Sequence, residues 1–201
     1  MPRVSPAAAL AGAEPGRSTA DYILDVAGPL FFRRGFAAVG VDLVVRESGV
    51  AKMTLYRHFP SKDDLIAAWL ARVDEQFWQS FERWAGPAEL PARDRLVGVF
   101  AGLEKLVSSA KCLGCPFLLA ASEFPEPDTR AHDVARRHKA RLRRRLRAMA
   151  ADAGAADPQA LGDQLLLLMD GAFMAARLFG PADHPGRHVR AAAARLLGPE
   201  R

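Results

Sequence analysis

Cysteine and tyrosine are both scarce in this chain, with two of each among 201 positions. Two cysteines, Cys112 and Cys115, are too few for a disulfide framework, and they point to the reducing cytoplasm as the working compartment. Long apolar runs are missing too. The run from Leu165 to Phe179 is interrupted by Asp170 and Arg177, short of the about 18 residues a membrane helix needs. No stretch alternates Val, Ile and Thr with polar residues, so a half-buried strand has no candidate. No nucleophile–base pair or metal-ligand set stands out, which argues against an enzyme and implies neither cofactor nor metal. What is present is apolar content of 50%, rich in Ala and Leu, in a chain long enough to bury a core. That combination predicts an all-α protein.

The net charge of +5 invites a nucleic-acid partner, but its distribution does not place one. Residues 128–149 hold nine Lys/Arg against two Asp, which leaves the remainder of the chain at −2. Segment 17–62 has seven basic and four acidic residues, a net of only +3. The basic run from Arg136 to Arg147 resembles an RNA-binding helix. Its regular apolar stripe (Val134, His138, Leu142, Leu146, Met149) favours instead a packed helix with a solvated outer face.

A motif makes the case that charge does not. From Gly40 to Phe59 the residues read as two short helices joined by a glycine turn. Gly40 serves as N-cap, with Asp42 in the first turn, and Val41, Val44 and Val45 form an apolar face. Ser48-Gly49 ends the helix where a left-handed residue is wanted. Val50 and Leu55 then turn toward a small core, with Tyr56 and Phe59 one turn on. Lys52, Met53, Thr54, Arg57 and His58 are left on the outer face, in a helix short enough to lie in a major groove.

Order and spacing here resemble the TetR family of bacterial repressors. The resemblance rests on Leu30-Phe31-Phe32-Arg33-Arg34-Gly35-Phe36, like the end of that family's first helix, and on Gly49 through Lys62. The second stretch matches Gly-Val-Ser-x-x-Thr-Leu-Tyr-x-His-Phe-x-Ser-Lys, with Ala51 in place of the serine. It implies a helix-turn-helix domain over 18–66 and a helical effector-binding and dimerisation domain over 67–201, about nine helices in all; residues 1–17, with three prolines and several small residues, read as a flexible leader. The implied partners are double-stranded DNA, a small-molecule effector and a second copy of the chain. By the same resemblance Tyr56 packs its ring inward and gives its hydroxyl to a phosphate, and Lys62, at a helix start where its charge opposes the dipole, faces another phosphate. His58 contacts the DNA backbone or is buried against the first helix. Lys52 and Thr54 reach base edges or phosphates, Arg57 a guanine or a phosphate, and Met53 a thymine methyl. Ala51 and Val39-Gly40 replace hydroxyl residues of the family and remove contacts.

Punctuation outlines the other helices. Ser18 caps a first helix to Arg34, in which Gly28-Pro29 predicts a kink or break, because proline deletes a backbone bond at about 3 kcal/mol. Further helices are expected over 61–84, after Pro91, over 116–124, over 128–151, from Pro158 to before Gly180, and after Pro185 to about 197. Phe77, Phe81, Phe100, Phe117, His138, Met169, Phe173 and Arg177 are the candidates to line an effector pocket. Leu165 to Leu168 is apolar all round its helix, so burial on more than one side, and a dimer through the last two helices, is expected. Cys112-x-x-Cys115 offers an alternative as a redox pair that switches the regulator, or half of a Cys2His2 site with His132 and His138; two buried small residues account for it more simply.

Overall fold

The computed structural model describes residues 18–198, so the leader assigned to 1–17 lies outside the described residues. Among those residues the chain is helical without a strand. The elements are α1 (Thr19–Arg34), α2 (Val41–Ser48), α3 (Lys52–His58), α4 (Lys62–Ala85), α5 (Ala92–Val107), α6 (Pro116–Glu123), α7 (Arg130–Asp152), α8 (Pro158–Phe179), a 3₁₀ turn (Pro185–His188) and α9 (Val189–Leu196). The ends of α4, α6, α7 and α8 fall within two residues of the bounds predicted for them. No described helix is long and apolar enough to cross a membrane.

The chain packs as two compact units. One runs through Val73 and also takes in Leu119–Ala135; the other comprises Asp74–Leu118 and the chain from Arg136 onward. The first unit therefore holds more than the N-terminal stretch.

In that unit Ser18 caps α1, its hydroxyl accepting from the Asp21 amide at 3.1 Å. Ile23, Leu24, Ala27 and Phe31 form the buried face of the helix. Of the kink or break expected at Pro29, the break is absent: α1 runs unbroken through it. Pro29 is itself exposed, while Gly28 before it is pressed against Trp69, so closely that a Cβ would stand 2.1 Å from the indole Nε1. The close packing of Gly28 on Trp69 holds the helix together across the lost backbone bond. Phe31, Phe36 and Trp69 form an aromatic core with centroids 5.5–6.2 Å apart, and Phe124 joins Phe36 at 5.7 Å. Arg72 of α4 fastens α1 by bonds to the Asp25 carboxylate (2.8 Å) and the Asp21 carbonyl (3.1 Å).

The second unit is centred on fully buried Phe81, Leu96, Phe100, Leu103, Leu142, Leu146, Leu165 and Met169. Four of the five residues in the stripe predicted for α7 are buried, with Leu142, Leu146, Met149 and His138 all at most 3% exposed, while Val134 is half-buried. Its opposite face bears the basic run, much of which meets the protein's own carboxylates. Arg143 and Arg147 both fork onto Asp163 at 2.6–2.8 Å, Arg145 meets Glu82 at 3.2 Å, and Lys139 pairs with Asp170.

Candidate nucleic-acid interface

The interface is built on two buried anchors. Val44 of α2 and Leu55 of α3 are both fully buried, Val50 and Phe59 nearly so, and these fix the faces that the two short helices present outward. Gly49 between them has φ 68°, the left-handed conformation that ends α2 and turns the chain sharply into α3. Tyr22 supports the turn from α1, its hydroxyl donating to the Ser48 carbonyl at 3.0 Å. Sequence reasoning passed over Tyr22; its rarity, one of two tyrosines, was the available signal. Ala51 precedes α3 without any side-chain cap, so the missing hydroxyl leaves the helix start less secured by about 1 kcal/mol.

The predicted contact residues lie on one short stretch. Met53 is 81% exposed, Arg57 and His58 are exposed, Thr54 is half-buried, and Tyr56 keeps 38% of its surface in solvent. His58 is therefore not buried against α1. Lys52 pairs with Asp42 of α2 at 2.7 Å, and that hydrogen bond and charge raise its pKa. Lys62 is half-buried and donates to the Ala37 carbonyl at 3.3 Å; burial lowers its pKa, while the charge of Glu123 works the other way. Ser61 caps α4 through the Asp64 amide at 3.0 Å. Asp63 in turn accepts from the Arg130 and Ala131 amides at the start of α7, and Asp64 pairs with Arg130 at 2.8 Å.

In the second unit the effector candidates divide. Phe77, Phe81, Phe117 and His138 cluster: Phe117 stacks on the imidazole at 3.6 Å, Phe77 meets it edge-on at 4.9 Å, and Phe81 lies 5.9 Å from Phe77. Phe100, Met169 and Phe173 are buried core residues. Arg177 is exposed and donates to the Leu113 carbonyl at 2.8 Å. The cluster also contains residues not singled out beforehand as a group. Asp74 accepts from His138 Nδ1 at 2.6 Å and from Trp78 Nε1 at 3.0 Å, and Arg141 lies 4.0 Å above the Trp78 ring. Burial is the chief cause that lowers the His138 pKa, against the opposing bond to Asp74. Burial works to raise the Asp74 carboxyl, but the bonds from His138 and Trp78 and the Arg141 charge outweigh it, and its pKa falls. The pair is thus a neutral imidazole and an ionised carboxylate.

Two recesses in this unit have other linings. One, of about 850 Å³, lies by Arg93, Ala153–Asp157 and Leu197; the other, of about 330 Å³, is lined by Leu167, Leu168, Gly171, Ala172, Val189 and Ala192. Beside the second, Leu167 (72% exposed), Gly171, Met174 and Leu178 (75% exposed) form one exposed stripe along α8. Cys112 and Cys115 are free thiols, and burial is the main cause that pushes both of their pKa values up, away from the reactive thiolate. His132 Nδ1 is engaged by the Phe124 carbonyl at 2.7 Å and His138 Nδ1 by Asp74; among the described residues no group of three or more His, Cys, Asp or Glu is gathered as a metal set would require.

A helix-turn-helix on a buried aromatic core, followed by a larger helical unit, defines the class to which this protein belongs. Comparison gives the family: residues 23–69 match the model of bacterial regulatory proteins of the tetR family, and residues 92–192 match the tetracyclin repressor-like C-terminal domain. The chain belongs to the TetR family of helix-turn-helix transcriptional regulators, a family of regulators and not of enzymes. A TetR-family transcriptional regulator from Streptomyces coelicolor is 29% identical with a TM-score of 0.78, over 88% of this chain and 90% of that one. A TetR regulator from Legionella pneumophila, at 20% identity, shares the fold with a TM-score of 0.77 over 90% and 98%. An uncharacterized HTH-type transcriptional regulator of Mycobacterium tuberculosis is 40% identical over 80 residues, which is 40% of this chain and 40% of that curated relative.

Proposed function

We propose that the protein is a cytoplasmic, homodimeric repressor that leaves its operator when a small hydrophobic effector binds the C-terminal half. The observation that carries the DNA half is the exposed row Lys52, Met53, Arg57 and His58 on a helix anchored by buried Leu55, with Tyr56 half out of the core. Lys62, Tyr56, His58 and Arg57 contact phosphates; Lys52 and Thr54 reach base edges or phosphates, and Met53 a thymine methyl. The exposed stripe Leu167, Met174 and Leu178 supports a dimer through α8 and α9, since a row this apolar is an interaction surface more often than a solvent face. Two recognition helices then address major grooves roughly 34–36 Å apart, and the operator is a pseudo-palindrome. The effector site lies around Phe77, Phe81, Phe117 and His138, with Phe100, Met169, Phe173 and Arg177 as further candidates. Its ligand binds better to the state that cannot span the operator, and release follows by population shift.

Fluorescence anisotropy on the DNA upstream of the protein's own gene, with a scrambled duplex as control, tests the reading. Tight, sequence-selective binding that is lost in Tyr56→Ala is the expected result. Equal affinity for both duplexes, followed by failure to enrich any sequence from a genomic library, would sink it. Leu178→Glu should convert the dimer to monomer in sedimentation; an unchanged dimer would move the interface elsewhere.

A further inference from the structure

One residue of the α1–α2 turn is held from both sides by charge. The Ala37 amide donates to Glu123 Oε2 at 2.7 Å, and the Ala37 carbonyl accepts from Lys62 Nζ at 3.3 Å. Glu123 comes within reach because residue 35 is glycine: with φ +88°, it has no Cβ, which would stand 2.8 Å from Glu123 Oε1. Next in sequence, Phe124 packs on Phe36 at 5.7 Å, so the carboxylate is fixed at both ends of the contact. Glu123 is also the last residue of α6, where a negative charge opposes the helix dipole. The Ala37 amide and the Lys62 charge offset that unfavourable position. All of these residues lie in one compact unit.

We propose that Glu123 is a specificity-tuning residue of the DNA-binding half: it holds Ala37 and restrains the Lys62 ammonium, and so limits how readily Lys62 binds phosphate on non-operator DNA. The inference rests on the regulator reading above. A phosphate at Lys62 must draw the ammonium away from Ala37 and from the field of Glu123. On the operator, base contacts and a well-fitted backbone provide for that change. On arbitrary DNA, where binding is almost wholly a matter of phosphate charge, they do not. Glu123 thereby weakens non-specific binding more than specific binding. Since it ends α6, any displacement of residues 119–124 also changes the restraint on Lys62.

The test is anisotropy with full-length protein on the selected operator and on a scrambled duplex across a series of KCl concentrations. Wild type, Glu123→Gln, Lys62→Ala and the double variant are compared. Glu123→Gln keeps an oxygen for the Ala37 amide but loses the charge. It should tighten binding to the scrambled duplex by about 3- to 10-fold at low salt, steepen the salt slope by up to about one, and lower the operator-to-scramble ratio. In the Lys62→Ala background the same substitution should do nothing. A gain of equal size in that background would overturn the inference, because the effect would then be a general change of field. No gain at all would also overturn it and reduce Glu123 to a brace of the turn. Amide exchange gives an independent check: Ala37 should be protected in the wild type and in Glu123→Gln, and open in Glu123→Ala. Free exchange in the wild type would refute the contact itself. If the wild type binds neither duplex, the regulator reading fails first, and this inference falls with it.

Discussion

Two helices of this protein carry basic side chains in opposite ways. Helix α7 has nine Lys/Arg, yet Arg143 and Arg147 share Asp163, Arg145 meets Glu82, Lys139 meets Asp170 and Arg130 meets Asp64. Helix α3 has only Lys52 and Arg57 among its seven residues, but Arg57, His58 and Met53 stand exposed around a single buried leucine. Charge density and a DNA-facing surface are thus separate properties. On α7 the charge is largely directed at the protein's own carboxylates, and the helix is defined by its buried stripe. On α3 little charge is available, and Lys52 is paired with Asp42; what matters is that a seven-residue helix has Met53, Arg57 and His58 exposed and its inner leucine fixed.

The largest expected effect comes from cutting the buried anchor of each helix. Leu55→Ala and Leu142→Ala both open a cavity at a fully buried position, and each should cost about 2–5 kcal/mol in chemical denaturation. Below the unfolding transition their effects on DNA should diverge. Leu55→Ala removes the support of the exposed row and should abolish selective binding, whereas Leu142→Ala should leave affinity within about threefold, since an intact site keeps its binding energy. If Leu142→Ala eliminates binding and Leu55→Ala does not, the roles of the two helices are reversed.

Local rules made much of this architecture legible in advance. The Ser18 cap, the left-handed Gly49 and the prolines around α6 and α8 act within a few residues of themselves, and the structure places helix ends where they indicate. Most of the buried stripe of α7 follows from helical period alone. What was not legible depends on distant residues. Pro29 predicts a break until Trp69, 40 positions away, is seen against Gly28. Nothing in the spacing of residues 119–135 says that they pack with the N-terminal unit, and Glu123 becomes meaningful only opposite Ala37, 86 positions earlier. The same holds for His138 and Asp74, which are 64 apart. The outward row on α3 was readable because it is local; the polar partners of the second unit were not, because each is paired through the fold.

The contrast between the two basic helices sharpens with salt. Lys62→Ala should weaken binding to every DNA sequence and reduce the salt slope by about one unit, the signature of one lost phosphate contact. Arg144→Ala, at an exposed position on α7, should leave the slope unchanged. The opposite pattern would assign the nucleic acid to α7 and revive the RNA-binding reading.

The smallest effect concerns acid, and it distinguishes the second unit by chemistry. His138 is 3% exposed, stacked on Phe117, and faced by Asp74, Lys139, Asp170 and Arg141. Burial, as its leading cause, holds its pKa below the ordinary 6.5, so the folded chain refuses a proton that the unfolded chain accepts. Its contribution to stability is therefore complete above 6.5 and is lost as the pH falls through the lower folded value. Asp74, lowered from 3.8, contributes in the same direction, but only in more acid solution. Between pH 7 and pH 5 the denaturation midpoint should decline, and His138→Phe should flatten that decline while keeping the aromatic stack. If the decline persists undiminished in His138→Phe, the acid sensitivity belongs to other groups, and the neutral imidazole beside an ionised Asp74 is not the state of the folded protein.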